Sequence, residues 1–167
     1  WGGYRRRYQV EPDWIIAPNE HVRQEMVKEG FAENKLLPLG NPFFEKMKNY
    51  KPVFRKEFQA LLDRNKKNIL FISQCFKEDG YLITQEEIFR DYVLSKYSCQ
   101  DCNIIVKPHP REDSAWLSKY NVRVCYFSKN TYIYDFIHFC SLVVGVNSQL
   151  IYVSYLKNIP FMAINVE

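Results

Sequence analysis

Short apolar runs alternate along this chain with stretches whose apolar residues recur at helical spacing. Continuous apolar runs of this length are typical of parallel strands that are buried on both faces. The strand-like runs are 13–17, 35–39, 68–73, 103–106, 122–126, 142–146 and 161–164. The helical patterns are 18–29, 53–64, 84–97, 114–120, 132–139 and 149–156. This alternation predicts an α/β fold, a doubly wound parallel sheet with helices on both faces.

Helix boundaries are marked by particular residues. Pro18 and Asn19 open the first helix and Gly30 ends it. A capping box at 84–87 opens another helix. The apolar spacing predicts that this second helix turns four side chains inward, Ile88, Phe89, Tyr92 and Val93. The segment 43–52 shows neither a helix-opening nor a helix-ending residue of this kind, which favours a linker.

Composition limits the classes of function. With 167 residues, of which 47% are hydrophobic, the chain suits one domain with a substantial core. A net charge of +4 suits an anionic ligand or a membrane-adjacent surface. It is smaller than the positive charge that is typical of nucleic-acid-binding proteins. Five cysteines, an odd number, indicate reduced thiols in a cytoplasmic protein. Cys99 and Cys102 form a CxxC without a second ligand pair, so we predict no metal.

The segment from Lys107 to Glu112 (KPHPRE) carries the strongest chemical signal. A strand ends there in a loop with three basic side chains, Lys107, His109 and Arg111, and with Pro108 and Pro110 stiffening the backbone. Ligands of open α/β sheets bind beyond the carboxyl ends of the strands. The loop therefore predicts a phosphate site, and a charged surface turn is the alternative.

Two other strand ends belong to the same predicted site. Ser73 and Gln74 follow the strand 68–73, and the segment from Gly145 to Gln149 turns a strand into a helix. Gly145 permits close backbone approach, and Asn147 or Ser148 suits the cap of a helix whose free N–H groups attract anions. Together with the basic loop they predict a cradle for a pyrophosphate or phosphodiester. An ordinary helix cap is the alternative.

Motifs of other nucleotide-binding and hydrolytic folds are missing from the sequence. It contains no G-x-G-x-x-G, no Walker A and no G-x-S-x-G. Dinucleotide oxidoreductases, P-loop NTPases and α/β-hydrolases therefore lose their main support.

Five segments in order carry a resemblance: DWIIAPNEHVRQEMVKEGF, KLLPLGNP, NILFISQ, IIVKPHPRE and VVGVNSQLIYVSYLKNIPFMAIN. They resemble the carboxyl-terminal, donor-binding half of a GT-B-fold glycosyltransferase, and more narrowly bacterial sialyltransferases that build lipooligosaccharide and capsule. The resemblance implies that His109-Pro110 contacts the CMP phosphate of CMP-sialic acid and that Ser148 supports the same phosphate. It also implies that residues 1–42 are the end of the amino-terminal lobe and that 43–167 form the donor domain.

The resemblance has departures. Those sialyltransferases take their general base from an acidic-acidic-Gly motif in the amino-terminal lobe, whereas Glu78-Asp79-Gly80 stands close to the His-Pro loop, so the role is not transferred. One lobe is largely missing, which leaves open whether the chain itself is an enzyme. The resemblance implies a nucleotide-sugar donor without a further cofactor, because Lys107 and His109 take the place of a metal.

Partners and rival functions follow from the same resemblance. The acceptor glycan is expected on the missing lobe, the segment 1–41 allows a swapped homodimer, and the location allows peripheral association with the inner face of the membrane. Another GT-B activity, a CDP-glycerol-type polymer transferase or a UDP-sugar epimerase, remains open. So does a non-catalytic nucleotide-binding or interaction domain.

Overall fold

The computed structural model describes residues 12–75, 84–113, 115–125, 132–146 and 148–164. The chain divides into two compact units, Trp1–Asn49 and Tyr50–Glu167.

The first unit is a strand–helix–strand followed by a helix. Its elements are β1 (Ile15–Ile16), α1 (Glu20–Lys28), a 3₁₀ turn (Glu33–Lys35), β2 (Leu36–Leu37) and α2 (Pro42–Lys48). The two strands pair in parallel. The side chain of Asn19 accepts the N–H of Val22 at 2.8 Å, and Gly30 leaves α1 with φ +92°. Both predicted boundary signals of the first helix are therefore confirmed.

Helix α2 corrects the prediction of a linker at 43–52. The side chain of Asn41 accepts the N–H of Phe43 at 3.0 Å, which caps the helix. Pro42 occupies the first turn, where a residue without an N–H costs no hydrogen bond. The Gly-Asn-Pro sequence is thus the start signal of a helix, and the prediction missed it.

The second unit is built around five strands. Its elements are a 3₁₀ helix (Lys56–Ala60), β3 (Lys67–Ile72), α3 (Thr84–Lys96), β4 (Cys102–Lys107), a 3₁₀ helix (Ala115–Lys119), β5 (Arg123–Val124), α4 (Tyr132–Phe136), a 3₁₀ turn (Ile137–Phe139), β6 (Leu142–Val146), α5 (Gln149–Leu156) and β7 (Phe161–Ile164). The strands are all parallel, in the order β5-β4-β3-β6-β7. The predicted doubly wound α/β fold is confirmed.

The three central strands of this sheet, β3, β4 and β6, are buried on both faces. On one face Phe71 and Val106 join a core with Phe89 and Val93 of α3. Side chains alternate along a strand, so Leu70 and Ile105 point to the other face, and both are fully buried. Burial on both faces explains why these strands read as unbroken apolar runs.

Two details of the predicted helices are wrong. Residues 53–64 contain only the 3₁₀ helix Lys56–Ala60. In α3, Phe89, Val93 and Leu94 are buried, whereas Ile88 and Tyr92 are 65% and 53% exposed. The apolar residues of α3 form two adjacent rows, and the core takes only one of them.

A buried carboxylate holds the segment that replaces the predicted helix. Asp135 of α4 is fully buried and accepts hydrogen bonds from Tyr50 Oη at 2.6 Å, Val53 N at 2.9 Å and Arg55 Nε at 2.7 Å. These bonds tie Tyr50, Val53 and Arg55 to a side chain some 80 residues later in the sequence. Phe58 then packs edge-on to Phe136, with ring centroids 5.1 Å apart. Tertiary contacts thus override the local helical pattern.

The five cysteines form no disulfide, and Cys75, Cys125 and Cys140 are buried. In the described ranges no cluster of three metal-ligating side chains occurs. None of the helices in those ranges combines the length and apolar character that crossing a bilayer requires.

Candidate functional site

The three predicted strand ends lie at one edge of the sheet. β3 is the central strand, with β4 on one side and β6 on the other. The chain leaves β3 towards β4 and leaves β6 towards β7, so the connections diverge between β3 and β6. Such a switch point is where open α/β sheets bind ligands. Because neighbouring strands are about 4.8 Å apart, the ends of β4 and β6 lie roughly 10 Å apart, a span suited to a nucleotide phosphate.

His109 lies in a tight turn beyond β4. Glu112 N donates to the carbonyl of His109 at 3.0 Å, which closes the turn over 109–112. Arg111 N donates to His109 Nδ1 at 3.3 Å. Nδ1 is therefore an acceptor, so the proton of the neutral imidazole is on Nε2. Within the turn Pro110 and Arg111 are exposed, while Pro108 is buried and anchors its start.

Glu112 connects this turn to three other segments. Its side chain is only 4% exposed. Oε1 accepts from Ser73 Oγ at 2.6 Å and from Trp116 Nε1 at 2.9 Å, and Oε2 accepts from His109 N at 3.0 Å. Arg90 of α3 lies 3.8 Å from Oε1, and its guanidinium stacks 4.0 Å above the ring of Trp116.

The residues Glu112, Trp116 and Arg90 were missed as site residues by the sequence analysis. Glu112 was noticed only as part of the KPHPRE motif. Trp116 gave no signal, because Glu112 lies in the turn before the 3₁₀ helix that carries Trp116 and helical spacing does not apply to the pair. Arg90 gave no signal, because its partner is 22 residues away in the sequence and meets it only through the fold.

Lys107 is the last residue of β4 and is half-buried. Its carbonyl accepts the N–H of Ser73 at 3.0 Å, which continues the pairing of β3 with β4 past the strand ends. Burial lowers the pKa of Lys107 below its ordinary value, and the Glu112 carboxylate acts in the opposite direction. Next to it, burial raises the pKa of Cys125 to about 12, so this thiol is neutral. The negative charge of a bound anion would favour the protonated form of Lys107 and so oppose the effect of burial.

Ser148 caps α5 at the end of β6. Its Oγ accepts the N–H of Leu150 at 3.3 Å, as the predicted helix cap requires. Gln149 is exposed, and its Oε1 lies 3.5 Å from Tyr134 Oη. Ile151 N also donates to the Ser148 carbonyl, at 2.9 Å, so two N–H groups of the first turn of α5 are bonded to Ser148. Asn147 lies outside the described residues.

Gly145 has a packing role that the sequence did not indicate. A Cβ at this position would lie 3.2 Å from Ile72 Cβ and 3.6 Å from Ile151 Cδ1. The space is therefore taken by the protein itself, between β3 and α5. A nucleotide contact at Gly145, and at Ser73 and Gln74, stays a prediction. Ser73 is buried with its hydroxyl on Glu112, and Gln74 is partly exposed.

The acidic motif Glu78-Asp79-Gly80 falls outside the described residues. That Lys107, His109, Pro110, Arg111, Ser148 and Gln149 bind a donor phosphate stays a prediction. The structure brings them to one edge of one sheet.

Comparison with solved structures shows the fold type. A UDP-GlcNAc 2-epimerase from Methanocaldococcus jannaschii, in complex with UDP-GlcNAc and UDP, is 17% identical with a TM-score of 0.64, over 90% of this chain and 45% of that one. The epimerase from Neisseria meningitidis bound to UDP-GlcNAc is 17% identical with a TM-score of 0.58, over 82% and 40%. The wall teichoic acid polymerase TagF is 19% identical with a TM-score of 0.50, over 89% and 37%.

This chain thus spans less than half the length of each of these structures. At these identities the likeness shows the fold alone, a Rossmann-like lobe of the GT-B type, as predicted. No curated protein matches the chain.

The family match is more specific. The model of the alpha-2,8-polysialyltransferase (POLYST) family matches residues 11–133, well over half of the chain. The matched range contains the end of β3, the whole His-Pro loop and its supports on α3 and Trp116. The chain therefore belongs to the alpha-2,8-polysialyltransferase family.

Proposed function

We propose that this chain is the donor-binding part of a sialyltransferase-like enzyme whose donor is CMP-linked sialic acid. One observation carries the proposal. The family match includes the segment from Lys107 to Glu112, and this segment lies at the switch-point edge of the sheet. A basic loop placed there suits the phosphate of a nucleotide sugar.

In this proposal the site neutralises the leaving nucleotide. An acceptor hydroxyl attacks the anomeric carbon of the sugar. The new bond is carbon–oxygen, the bond to the CMP phosphate oxygen breaks, and the electron pair leaves with the phosphate. His109 donates a hydrogen bond from Nε2 to that phosphate, and Lys107 and the amino end of α5 offset its charge. Arg111, Pro110, Ser148, Gln149 and Asn147 complete the proposed phosphate contacts, with no metal.

The rest of the enzyme belongs to the same proposal. The general base that takes the hydroxyl proton, and the acceptor site, lie outside the donor lobe. Residues 1–42 represent the end of the other lobe, and 43–167 form the donor domain. The proposal further includes a bacterial capsule or lipooligosaccharide as the acceptor. It also includes a cytoplasmic location at the inner membrane face and a swapped homodimer.

The alternative to CMP-linked sialic acid is a substrate that is linked to UDP or CDP. The neighbours from Methanocaldococcus jannaschii and Neisseria meningitidis hold UDP-GlcNAc. The base and the number of phosphates distinguish CMP from UDP and CDP, so nucleotide preference is the discriminating measurement.

The test is a thermal-shift titration of this chain with CMP, CDP, UDP and inorganic phosphate. At a concentration 100 times its Kd, a ligand stabilises by about 2.7 kcal/mol, which raises Tm by roughly 5 °C or more. We expect this shift with CMP, and we expect His109→Ala to abolish it. His21→Ala, at an exposed position on α1, is the matched control and keeps the shift.

Three results would contradict the proposal. A larger shift with UDP or CDP than with CMP would assign the lobe to a different donor. No saturable shift with any nucleotide, or an equal shift in His109→Ala, would remove the His-Pro loop from donor binding altogether.

A further inference from the structure

Glu112 is a charged side chain in a place where charge is costly. Its carboxylate is 4% exposed and lies just beyond the end of β4. A buried carboxylate is tolerated only when its oxygens accept good hydrogen bonds. Glu112 meets this requirement with donors from three directions, Ser73 Oγ, Trp116 Nε1 and His109 N, and with the guanidinium of Arg90 near Oε1.

The contacts of Glu112 enclose His109 from both sides. Its carboxylate accepts the N–H of His109, and its own N–H donates to the carbonyl of His109. The backbone of His109 is thus fixed by one residue at two points. This closed turn also places Arg111 N 3.3 Å from His109 Nδ1.

The closed turn determines the tautomer and the orientation of the His109 imidazole ring. While Arg111 N donates to Nδ1, the neutral ring carries its proton on Nε2, and its orientation is fixed. His109 is only partly buried, so the Nε2–H is available to an incoming acceptor. A donor held in a fixed direction binds an anion with less loss of side-chain entropy than a freely rotating ring.

We propose that Glu112 is the positioning residue of the site, which sets the ring orientation and the Nε2–H tautomer of His109 by clamping the 109–112 turn to Ser73 and Trp116. The identity of the anion rests on the function proposed above, whereas the effect on His109 does not. Glu112 touches no substrate in this proposal and acts through His109.

The carboxylate is needed for its acceptor capacity as well as its shape. Glu112→Gln keeps the shape but replaces one acceptor oxygen with an NH₂ group. Turned towards His109 N, that group replaces the acceptor of the backbone N–H by a donor; turned the other way, it can donate to the Ser73 hydroxyl but meets Trp116 Nε1–H, which is a donor only. One anchor of the turn is therefore lost in Glu112→Gln whichever way the amide points. Ser73→Ala removes a single hydrogen bond from the other side and is the milder test.

The experiment measures the histidine rings of this chain by ¹⁵N NMR at alkaline pH, where imidazoles are neutral. In the wild type we expect His109 to hold the Nε2–H tautomer alone. In Glu112→Gln we expect its Nδ1–H fraction to rise to that of the exposed His21, which is the internal reference. Ser73→Ala should lie between the two. Glu57→Gln, at an exposed position, is the matched control and should leave His109 unchanged.

CMP affinity is the second readout. Loss of one charge-assisted hydrogen bond should weaken CMP binding about tenfold in Glu112→Gln. If Glu112→Gln does not fold, as judged by its amide spectrum, Ser73→Ala carries both measurements.

The two proposals fail in different ways. A wild type that does not bind CMP, with the tautomer change present, contradicts the proposed function and leaves the role of Glu112 intact. A His109 that keeps one tautomer and full CMP affinity in both Glu112→Gln and Ser73→Ala overturns the role of Glu112, while CMP binding by the wild type stands.

Discussion

The most quantitative prediction concerns Asp135, the buried carboxylate that holds the 50–55 segment. Asp135→Asn keeps the shape and most of the hydrogen bonds. The amide oxygen can still accept from Tyr50 Oη and Val53 N, which both bond Oδ1. The NH₂ group then faces Arg55 Nε, which bonds Oδ2 at 2.7 Å, so a charge-assisted contact becomes a contact between two donors.

The size of the effect follows from burial. A hydrogen bond to a charged group contributes about 1.5–3 kcal/mol to stability. The side chain of Arg55 is 30% exposed, so water can solvate part of the guanidinium after the change. We therefore expect Asp135→Asn to lower the free energy of unfolding by about 2 kcal/mol. Asp135→Ala removes all three bonds and leaves Val53 N–H without its acceptor, and should cost about 3–5 kcal/mol.

Equilibrium unfolding in urea measures both values. With a slope of about 2 kcal/mol per molar urea, Asp135→Asn should lower the midpoint by about 1 M. Asp101→Asn, at an exposed position, is the control and should stay within about 0.5 kcal/mol of the wild type. The reasoning is refuted if Asp135→Asn matches this control, or if Asp135→Ala costs no more than Asp135→Asn.

The pH dependence of the same pair gives an independent check. Burial alone would raise the pKa of Asp135, but hydrogen bonds from Tyr50, Val53 and Arg55 lower it below its ordinary value. A carboxyl with a lowered folded-state pKa stabilises fully above its ordinary pKa of about 4, and this contribution is lost as the pH falls through the lowered value. The stability gap between wild type and Asp135→Asn should therefore be constant from pH 7 to 5 and shrink below about pH 4.

Three further predictions concern the sheet and the site. Gly145→Ala should lower the free energy of unfolding by about 1–3 kcal/mol in urea titrations, because its Cβ would lie 3.2 Å from Ile72 Cβ. Phe89→Ala should cost about 3–5 kcal/mol and Ile88→Ala, on the exposed row of α3, less than about 1; equal costs would contradict the observed face. Burial lowers the pKa of Lys107, so CMP affinity in calorimetric titrations should fall with rising pH earlier than for an ordinary lysine, and Lys107→Met should remove that fall.

The sequence predicted the central strands of the sheet well because they are buried on both faces. The run at 142–146 coincides with β6, and the helical run 149–156 coincides with α5. A strand that contacts protein on both sides is a continuous apolar run, so its first and last residues are easy to recognise in the sequence. Such elements are determined locally by composition.

Elements that depend on distant contacts were predicted less well. The 53–64 segment has helical spacing, yet it contains only a short 3₁₀ helix, and it is bonded to Asp135, some 80 residues later, through Val53 N and Arg55 Nε. In α3 the sequence could not decide between the row of Ile88 and the row of Phe89, because the choice depends on where the sheet lies. Only at α2 was a local signal, Asn41-Pro42, present and overlooked.

The candidate site shows the same division. His109, Lys107 and Ser148 were predicted because strand ends, prolines and helix caps are readable from local sequence. Ser73 belongs to the predicted site as well, but its hydrogen bond to Glu112 was not predicted, and neither was Arg90, because both side chains reach Glu112 from other elements of the sheet and helix layers.

A site made this way has its binding groups and its supporting groups on different strands. The loop after β4 carries His109, but its orientation depends on the end of β3 through Ser73, and the end of β3 packs against Gly145 of β6 through Ile72. The three strand ends around the switch point are therefore joined by contacts as well as by backbone pairing. Under the proposed function, a substitution at any of these supports should change anion binding through His109 without touching the anion. The His-Pro loop is thus best understood as the exposed part of a buried assembly that runs across β4, β3 and β6.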